Sequence, residues 1–158
     1  MDNHGITFTL NHLVTELNNA ADAILRQRFA LTYSQFIFLL TLYSCGFTTA
    51  SGLAASLGVS RAAVSKRTEW FVTRGLVEVD SSSQDKRAVQ LSLTAPGESL
   101  VRDAAALLEA EFHRLFSSLE REAQVDLDAF HRTLTIVHEG LRGYNAGSPP
   151  THAHHRGE

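Results

Sequence analysis

The chain has 158 residues, 44% hydrophobic and 20% charged, with a formal net charge of −3 when histidine is neutral. That composition fits a globular protein of one domain, or one core plus a lobe, and no apolar run reaches the roughly 18 residues needed to cross a bilayer. The first residues, Met1-Asp2-Asn3-His4, lack the basic and apolar segments of a secretory signal, and the one cysteine, Cys45, has no partner for an internal disulfide, so cytoplasmic residence is expected.

Leu10, Leu13, Val14, Leu17, Ala20, Ala21, Ile24 and Leu25 recur at the i, i+3, i+4, i+7 spacing of a first amphipathic helix. Thr32-Tyr33-Ser34-Gln35 then has the form of a capping box, where the Thr hydroxyl and the Gln side chain satisfy free backbone N–H groups. The second helix follows with Phe36, Leu39, Leu40 and Tyr43 directed inward and an end near Gly46. Thr48 or Thr49 caps a third helix over residues 50–57, which Gly58 ends as a left-handed residue. Ser60 caps a fourth helix over 61–74, ended by Gly75. Two short helices joined through Leu57-Gly58-Val59-Ser60 make a helix-turn-helix.

Strands are predicted at 76–79 and, from its alternation, at 87–93, with a polar hairpin tip, 80–86, between them. Thr94 caps a fifth helix whose first turn tolerates Pro96 and whose stripe is Leu100, Ala104, Leu107, Leu108, Phe112 and Leu115. Ser117-Ser118 is read as a break. In the last helix Leu127, Phe130, Leu134, Val137 and Leu141 step by 3, 4, 3, 4, a heptad seam. Residues 143–158, rich in Gly, Pro and His, read as a disordered tail. The predicted fold is mainly α with a small β-hairpin wing. A winged helix-turn-helix region at 31–94 lies between the parts of a helical dimerisation region, 1–30 and 95–142. One short core cannot cover the terminal stripes (Leu10, Leu13 and Leu17; Leu127 to Leu141), whereas a second copy of the chain can.

The functional reading rests on the fourth helix and the wing. Val64, Thr68 and Phe71 share the inner face at 100° per residue, while Ala62, Lys66, Glu69 and Thr73 point away and Ser65 lies on the flank. Small residues and a cation just past a capped N-terminus allow such a helix into the major groove, about 12 Å wide. There Ser60, Arg61, Ser65 and Lys66 can reach base edges or phosphates, and Ala62 and Ala63 can touch thymine methyls. Residues 61–87 hold six basic side chains, Arg74 among them, against four acidic ones, a local charge of +2 in an acidic protein. At the wing, Asp85 can brace Lys86 or Arg87, so that an extended Arg87 enters a minor groove.

Leu31-Thr32-Tyr33-Ser34-Gln35-Phe36, the run from Leu53 through Lys66, Arg74-Gly75-Leu76-Val77-Glu78, Asp85-Lys86-Arg87-Ala88-Val89 and Leu93-Thr94-Ala95-Pro96-Gly97 together resemble the multiple antibiotic resistance regulator (MarR) family. The resemblance runs from about Leu10 to Leu141. It implies a homodimer joined through the first, fifth and sixth helices and a recognition helix on pseudo-palindromic duplex DNA. It also implies a wing arginine in the minor groove and a pocket for a small aromatic or amphipathic effector, with Tyr33 and Phe36 as candidate lining. The implied function is transcriptional regulation, as a repressor released by that effector, with no cofactor and no catalysis. The rival is a winged-helix protein–protein module without DNA binding, suggested by the acidic total, Asp80 and Trp70.

Several positions depart from the family pattern. Arg67 stands where an aliphatic residue is usual, Trp70 and Val72 where polar or basic ones are, and Val79 and Asp80 where basic ones often are. Trp70 is assigned a packing role against a neighbour. No Lys, Arg or His lies within ten residues of Cys45 to lower its pKa, so it is read as buried and inert rather than as an oxidant sensor. Glu109 and His113 have zinc-ligand spacing, but no second tight pair accompanies them, and no metal site is assigned.

Overall fold

The computed structural model describes residues 5–80, 89–123 and 126–145. The elements are α1 (Ile6–Phe29), α2 (Tyr33–Cys45), β1 (Phe47–Thr49), α3 (Ala50–Leu57), α4 (Arg61–Val72), β2 (Val77–Asp80), β3 (Gln90–Leu93), α5 (Ala95–Ala123) and α6 (Leu127–Asn145). They fall into two compact units, Met1–Ala110 and Glu111–Glu158, and α5 contributes to both. No helix of the described residues is long and apolar enough to cross a membrane.

In the first unit the core is built around α2, which packs against α1, α3, β1 and β3. The expected capping box starts it. Thr32 Oγ1 accepts the Gln35 N–H at 3.1 Å, and Gln35 Oε1 accepts the Thr32 N–H at 2.8 Å. The α1–α2 junction is fastened across the chain as well. Asp22 accepts the Tyr33 N–H at 2.7 Å and pairs with Arg26, and these two bonds hold its carboxyl below the ordinary aspartate range. Phe36, Phe38, Leu39 and Leu42 are buried. The inward set read from the sequence is therefore corrected: Tyr43 is exposed and Leu40 half-buried, while Phe38 and Leu42 take the core positions. A helix rich in apolar residues on all sides has no single stripe, so its neighbours decide its phase. Cys45, expected to be buried, is exposed in the last turn. On α1, Ala21 and Leu25 are buried, and Leu10, Leu13 and Leu17 are half-buried.

The sheet has three antiparallel strands in the order β1-β3-β2, one more than expected. Phe47, Thr48 and Thr49 pair with Ser92, Leu91 and Gln90, and Val77 to Asp80 pair with Leu93 to Gln90. The hairpin stem is placed one residue later than expected at β2. The tip, residues 81–88, lies outside those described.

Thr94 joins the sheet to α5. Its N–H bonds Leu76 O at 3.1 Å, its hydroxyl donates to Gly75 O at 2.6 Å, and Gly97 N–H returns to that hydroxyl at 3.2 Å. The cap forces Gly97 against the strand backbone: a Cβ there would stand 2.1 Å from Leu76 O. Beyond it Val101, Ala104 and Leu108 are buried.

In the second unit the expected break at Ser117-Ser118 does not occur, and α5 continues to Ala123. Ser118 donates to Leu115 O at 2.7 Å and Ser117 Oγ lies 3.2 Å from His113 Nδ1, so both hydroxyls find partners without leaving the helix. Helix α6 is capped by Asp126, which accepts the Ala129 N–H at 2.8 Å. It runs to Asn145, so residues 143–145, assigned to the tail, are helical. The remainder of that expected tail lies outside the described residues. Leu127 is half-buried, and Phe130, Leu134, Val137 and Leu141 are exposed along one side.

Two predictions follow from the junctions. Gly97→Ala forces the Thr94 cap and β2 apart, lowering unfolding stability by about 1–3 kcal/mol in urea denaturation. Unchanged stability would show that the approach relaxes freely. For Asp22, the depressed carboxyl adds stability above the unfolded-state pKa, which disappears as pH falls through the folded one. Asp22→Asn is therefore less stable than the wild type at pH 7, and the gap closes as acidification protonates the carboxyl in the folded state, below the ordinary aspartate range. A gap independent of pH would assign the effect to packing instead.

Candidate nucleic-acid interface

The helix-turn-helix is set by local bonds at each helix end. Thr49 Oγ1 accepts the Gly52 N–H at 3.1 Å to start α3. Gly58 closes that helix in the left-handed region (φ 65°), its N–H on Ala55 O and the Val59 N–H on Ala54 O at 3.1 Å. Two residues later Ser60 Oγ accepts the Ala63 N–H at 3.2 Å and α4 begins. It ends at Val72 rather than at residue 74, and the turn through Gly75 (φ 66°) leads into β2.

Val64, Thr68 and Phe71 are buried, as the helical phase predicts. Phe71 lies on the Phe38 ring of α2, with centroids 5.2 Å apart and planes at 26°. With that face fixed, Arg61, Ala62, Ala63, Ser65, Lys66, Glu69 and Thr73 are all exposed, and so is the cap, Ser60. Arg61 and Lys66 have no carboxylate within ion-pairing distance among the described residues, whereas Arg26, Arg102 and Arg114 each pair along their own helices. The first two turns of α4 thus present small side chains, a free N-terminal cation and a second cation one turn later.

The far end of α4 is organised differently. Trp70 is half-buried and stands edge-on to Phe71 (5.0 Å, 89°), which agrees with the packing role assigned to it. The Arg74 guanidinium lies 3.4 Å from the Trp70 ring centroid and donates to Trp70 O at 3.5 Å. Arg74 is therefore folded against its own helix and is not brought together with Arg61 and Lys66. Asp85, Lys86 and Arg87 lie outside the described residues. Of the wing, the stem is placed: Glu78 Oε1 accepts from Ser92 Oγ at 3.0 Å across β2 and β3.

Of the two residues expected to line an effector pocket, Tyr33 borders a cleft of about 230 Å³ together with Ser34, Ile37, Leu57, Val59 and Arg67. Phe36 does not line that cleft, because it is buried in the core. Sequence reasoning noticed Arg67 only as a departure from a family pattern. Three of its neighbours on the cleft, Tyr33, Ser34 and Ile37, lie far away in the chain, and only the fold brings them to it. At the spacing considered for zinc, His113 meets Ser117 rather than a second ligand pair, and among the described residues no group of three or more His, Cys, Asp or Glu could hold a metal.

Comparison with known proteins agrees with this geometry. The MarR family profile matches residues 31–89. An uncharacterized HTH-type transcriptional regulator, YhbI of Bacillus subtilis (strain 168), is 29% identical over 117 residues, covering 74% of this chain and 76% of the relative. Among solved structures, the multiple antibiotic resistance repressor MarR superposes with a TM-score of 0.73 at 20% identity, covering 83% of this chain and 95% of its own. MepR, a regulator of the Staphylococcus aureus multidrug efflux pump MepA, gives 0.70 at 22% identity over 87% and 99%. The same protein has also been solved as a DNA complex, with a TM-score of 0.63 at 23% identity over 85% and 98%. Residues 31–89 thus match the MarR family, and the chain shares the winged helix-turn-helix fold of these solved structures.

Proposed function

We propose that the chain is a homodimeric, sequence-specific repressor that reads a pseudo-palindromic duplex and is released by a small aromatic or amphipathic molecule. It acts in the cytoplasm by binding rather than by catalysis. The observation that carries this reading is the outer face of α4. A helix seated by Phe71 and capped by Ser60 presents Arg61, Ala62, Ala63, Ser65 and Lys66 to solvent, with both cations free of carboxylates among the described residues. Small side chains let the helix approach base edges, and free cations meet phosphates or guanine. The DNA complex of MepR, a protein of the same fold, supports this use of the surface. Arg74, held on Trp70, is assigned a phosphate contact, and Asp85, Lys86 and Arg87 are assigned to the wing tip over the minor groove.

Residues 31–94 form the reading region in this proposal, and 1–30 with 95–142 the dimerisation region. The exposed side of α6, with Phe130, Leu134, Val137 and Leu141, supports it, as do the half-buried Leu10, Leu13 and Leu17 of α1 and Leu127 of α6. A second copy gives such apolar rows a partner. Light scattering at micromolar concentration is expected to find a dimer, and a well-folded monomer would contradict the proposal.

The DNA reading is tested by anisotropy titration against an operator selected from random duplex, at several salt concentrations. Lys66→Ala is expected to relax preference at one or two base pairs, at about 1–3 kcal/mol. Arg87→Ala is expected to lower the salt slope by about one unit per protomer and to weaken the preference for A·T-rich flanks. If both variants stay folded and dimeric with affinity and slope unchanged, a protein-interaction role displaces DNA reading.

A further inference from the structure

We propose that Trp70 is a positioning residue for DNA binding, its indole face holding the Arg74 guanidinium in place to meet a phosphate at the rim of the major groove. This rests on the reading of the chain as a DNA-binding regulator and adds a sequence-independent clamp to it. The anchor runs outward from the core. Phe71 is buried, Trp70 is half-buried and stands edge-on to it at 5.0 Å and 89°, and Arg74 Cζ lies 3.4 Å from the Trp70 ring centroid. The backbone at Arg74 is held as well, its N–H on Phe71 O at 3.1 Å and that of Gly75 on Val72 O at 2.9 Å. Arg74 is therefore fixed at both ends although it is exposed.

The geometry of the stack decides what it does. At 3.4 Å the guanidinium carbon is in van der Waals contact with the ring, which requires the flat face of the group. An edge-on approach would interpose the N–H groups and hold the carbon farther out. The donors of a guanidinium all lie in its plane, so stacking occupies the face and leaves the edge. One donor reaches Trp70 O at the long distance of 3.5 Å, and among the described residues no carboxylate stands within ion-pairing distance of Arg74. Arg74 can therefore keep its stack and donate to an anion at the same time. The stack orders, before DNA arrives, a side chain that would otherwise lose its rotamer freedom on binding.

Its place at the end of α4 puts the clamp over phosphates rather than bases. Helix α4 has 12 residues, about 18 Å at the helical rise, against a major groove about 12 Å wide. A helix that enters by its N-terminal turns leaves its far end at the rim, where the DNA backbone runs. Lys66, Trp70 and Arg74 follow one another at four-residue spacing, so the stack continues the flank on which Lys66 stands. A phosphate contact carries no sequence information, so the clamp raises affinity for every duplex by the same factor.

The test is anisotropy titration of the full-length protein at several salt concentrations, on a selected operator and on random duplex. Trp70→Leu, which keeps an apolar contact for Phe71 and removes the aromatic face, is expected to weaken binding to both duplexes equally, by about two- to tenfold per protomer. Its salt slope is kept, because Arg74 can still reach a phosphate. Trp70→Phe is expected to restore most of the loss. Arg74→Ala is expected to lower the slope by about one unit per protomer and to make Trp70→Leu silent in the double variant. Wild-type affinity in Trp70→Leu, a loss confined to the operator, a Trp70→Leu loss undiminished beside Arg74→Ala, or an unchanged slope in Arg74→Ala overturns the proposal. Should Trp70→Leu fail to fold, acrylamide quenching of Trp70, the chain's one tryptophan, decides the matter. Arg74→Ala uncovers the ring and is expected to raise quenching, and equal quenching in the two proteins overturns the stack. The regulator reading is scored separately: it fails only if the wild type does not bind a selected operator.

Discussion

The stacking of Phe38 on Phe71 is the contact on which the recognition surface depends. Both rings are fully buried, one near the centre of α2 and the other in the last turns of α4. Such a pair contributes about 0.5–1.5 kcal/mol beyond the burial of its area, but its larger effect is rotational. With Phe71 turned inward, helical periodicity places Ala62, Lys66, Glu69 and Thr73 outward. The pair also anchors a row of contacts at the protein surface. Arg67 lies over Phe38, Trp70 meets Phe71 edge-on, and Arg74 lies over Trp70. Arg67 of α4 and Arg74 just beyond its end are thus positioned by aromatic faces, while Arg61 and Lys66 are left to solvent.

That division refines what the charge count suggests. The chain is acidic in total, and residues 61–87 are only modestly basic. Formal charge, however, does not separate a cation paired along its helix from one without a carboxylate. The fold pairs Arg26 with Asp22, Arg102 with Glu98 and Arg114 with Glu111. Among the described residues, Arg61 and Lys66 of α4 stay without a carboxylate partner, as do Arg28 of α1 and Arg132 and Arg142 of α6, so the local field on α4 is not set by the charge total.

What could be read in the sequence was what is decided locally. Thr32, Thr49 and Ser60 cap their helices as expected because a cap needs only the next three residues, and Gly58 ends α3 for a similarly local reason. The outward set of α4 was legible from its buried triplet. The failures share a non-local cause. Strand β1 has three residues and no alternation, and it becomes a strand only because β3 is there to pair with it. The inward phase of α2 is chosen by four neighbours, so Phe38 replaces Tyr43 in the core and Cys45 is left exposed. Ser117 and Ser118 looked like a helix break because their in-helix partners, His113 and Leu115, are visible only once the helix is built. The Arg67 cleft assembles residues from three helices and a turn, and no spacing rule encodes it.

The pairing of β1 with β3 also changes what kind of object the helix-turn-helix is. The strands lie on either side of it in the chain, with Thr49 opposite Gln90, so the sheet clasps the reading helices into a closed loop of about forty residues. An arm tethered at one end can fray without disturbing its base. A loop clasped at both ends, and packed on α2 through Phe71, can open only by giving up its sheet hydrogen bonds as well. The amides of α3 and α4 are therefore protected by the same cooperative unit as those of β3.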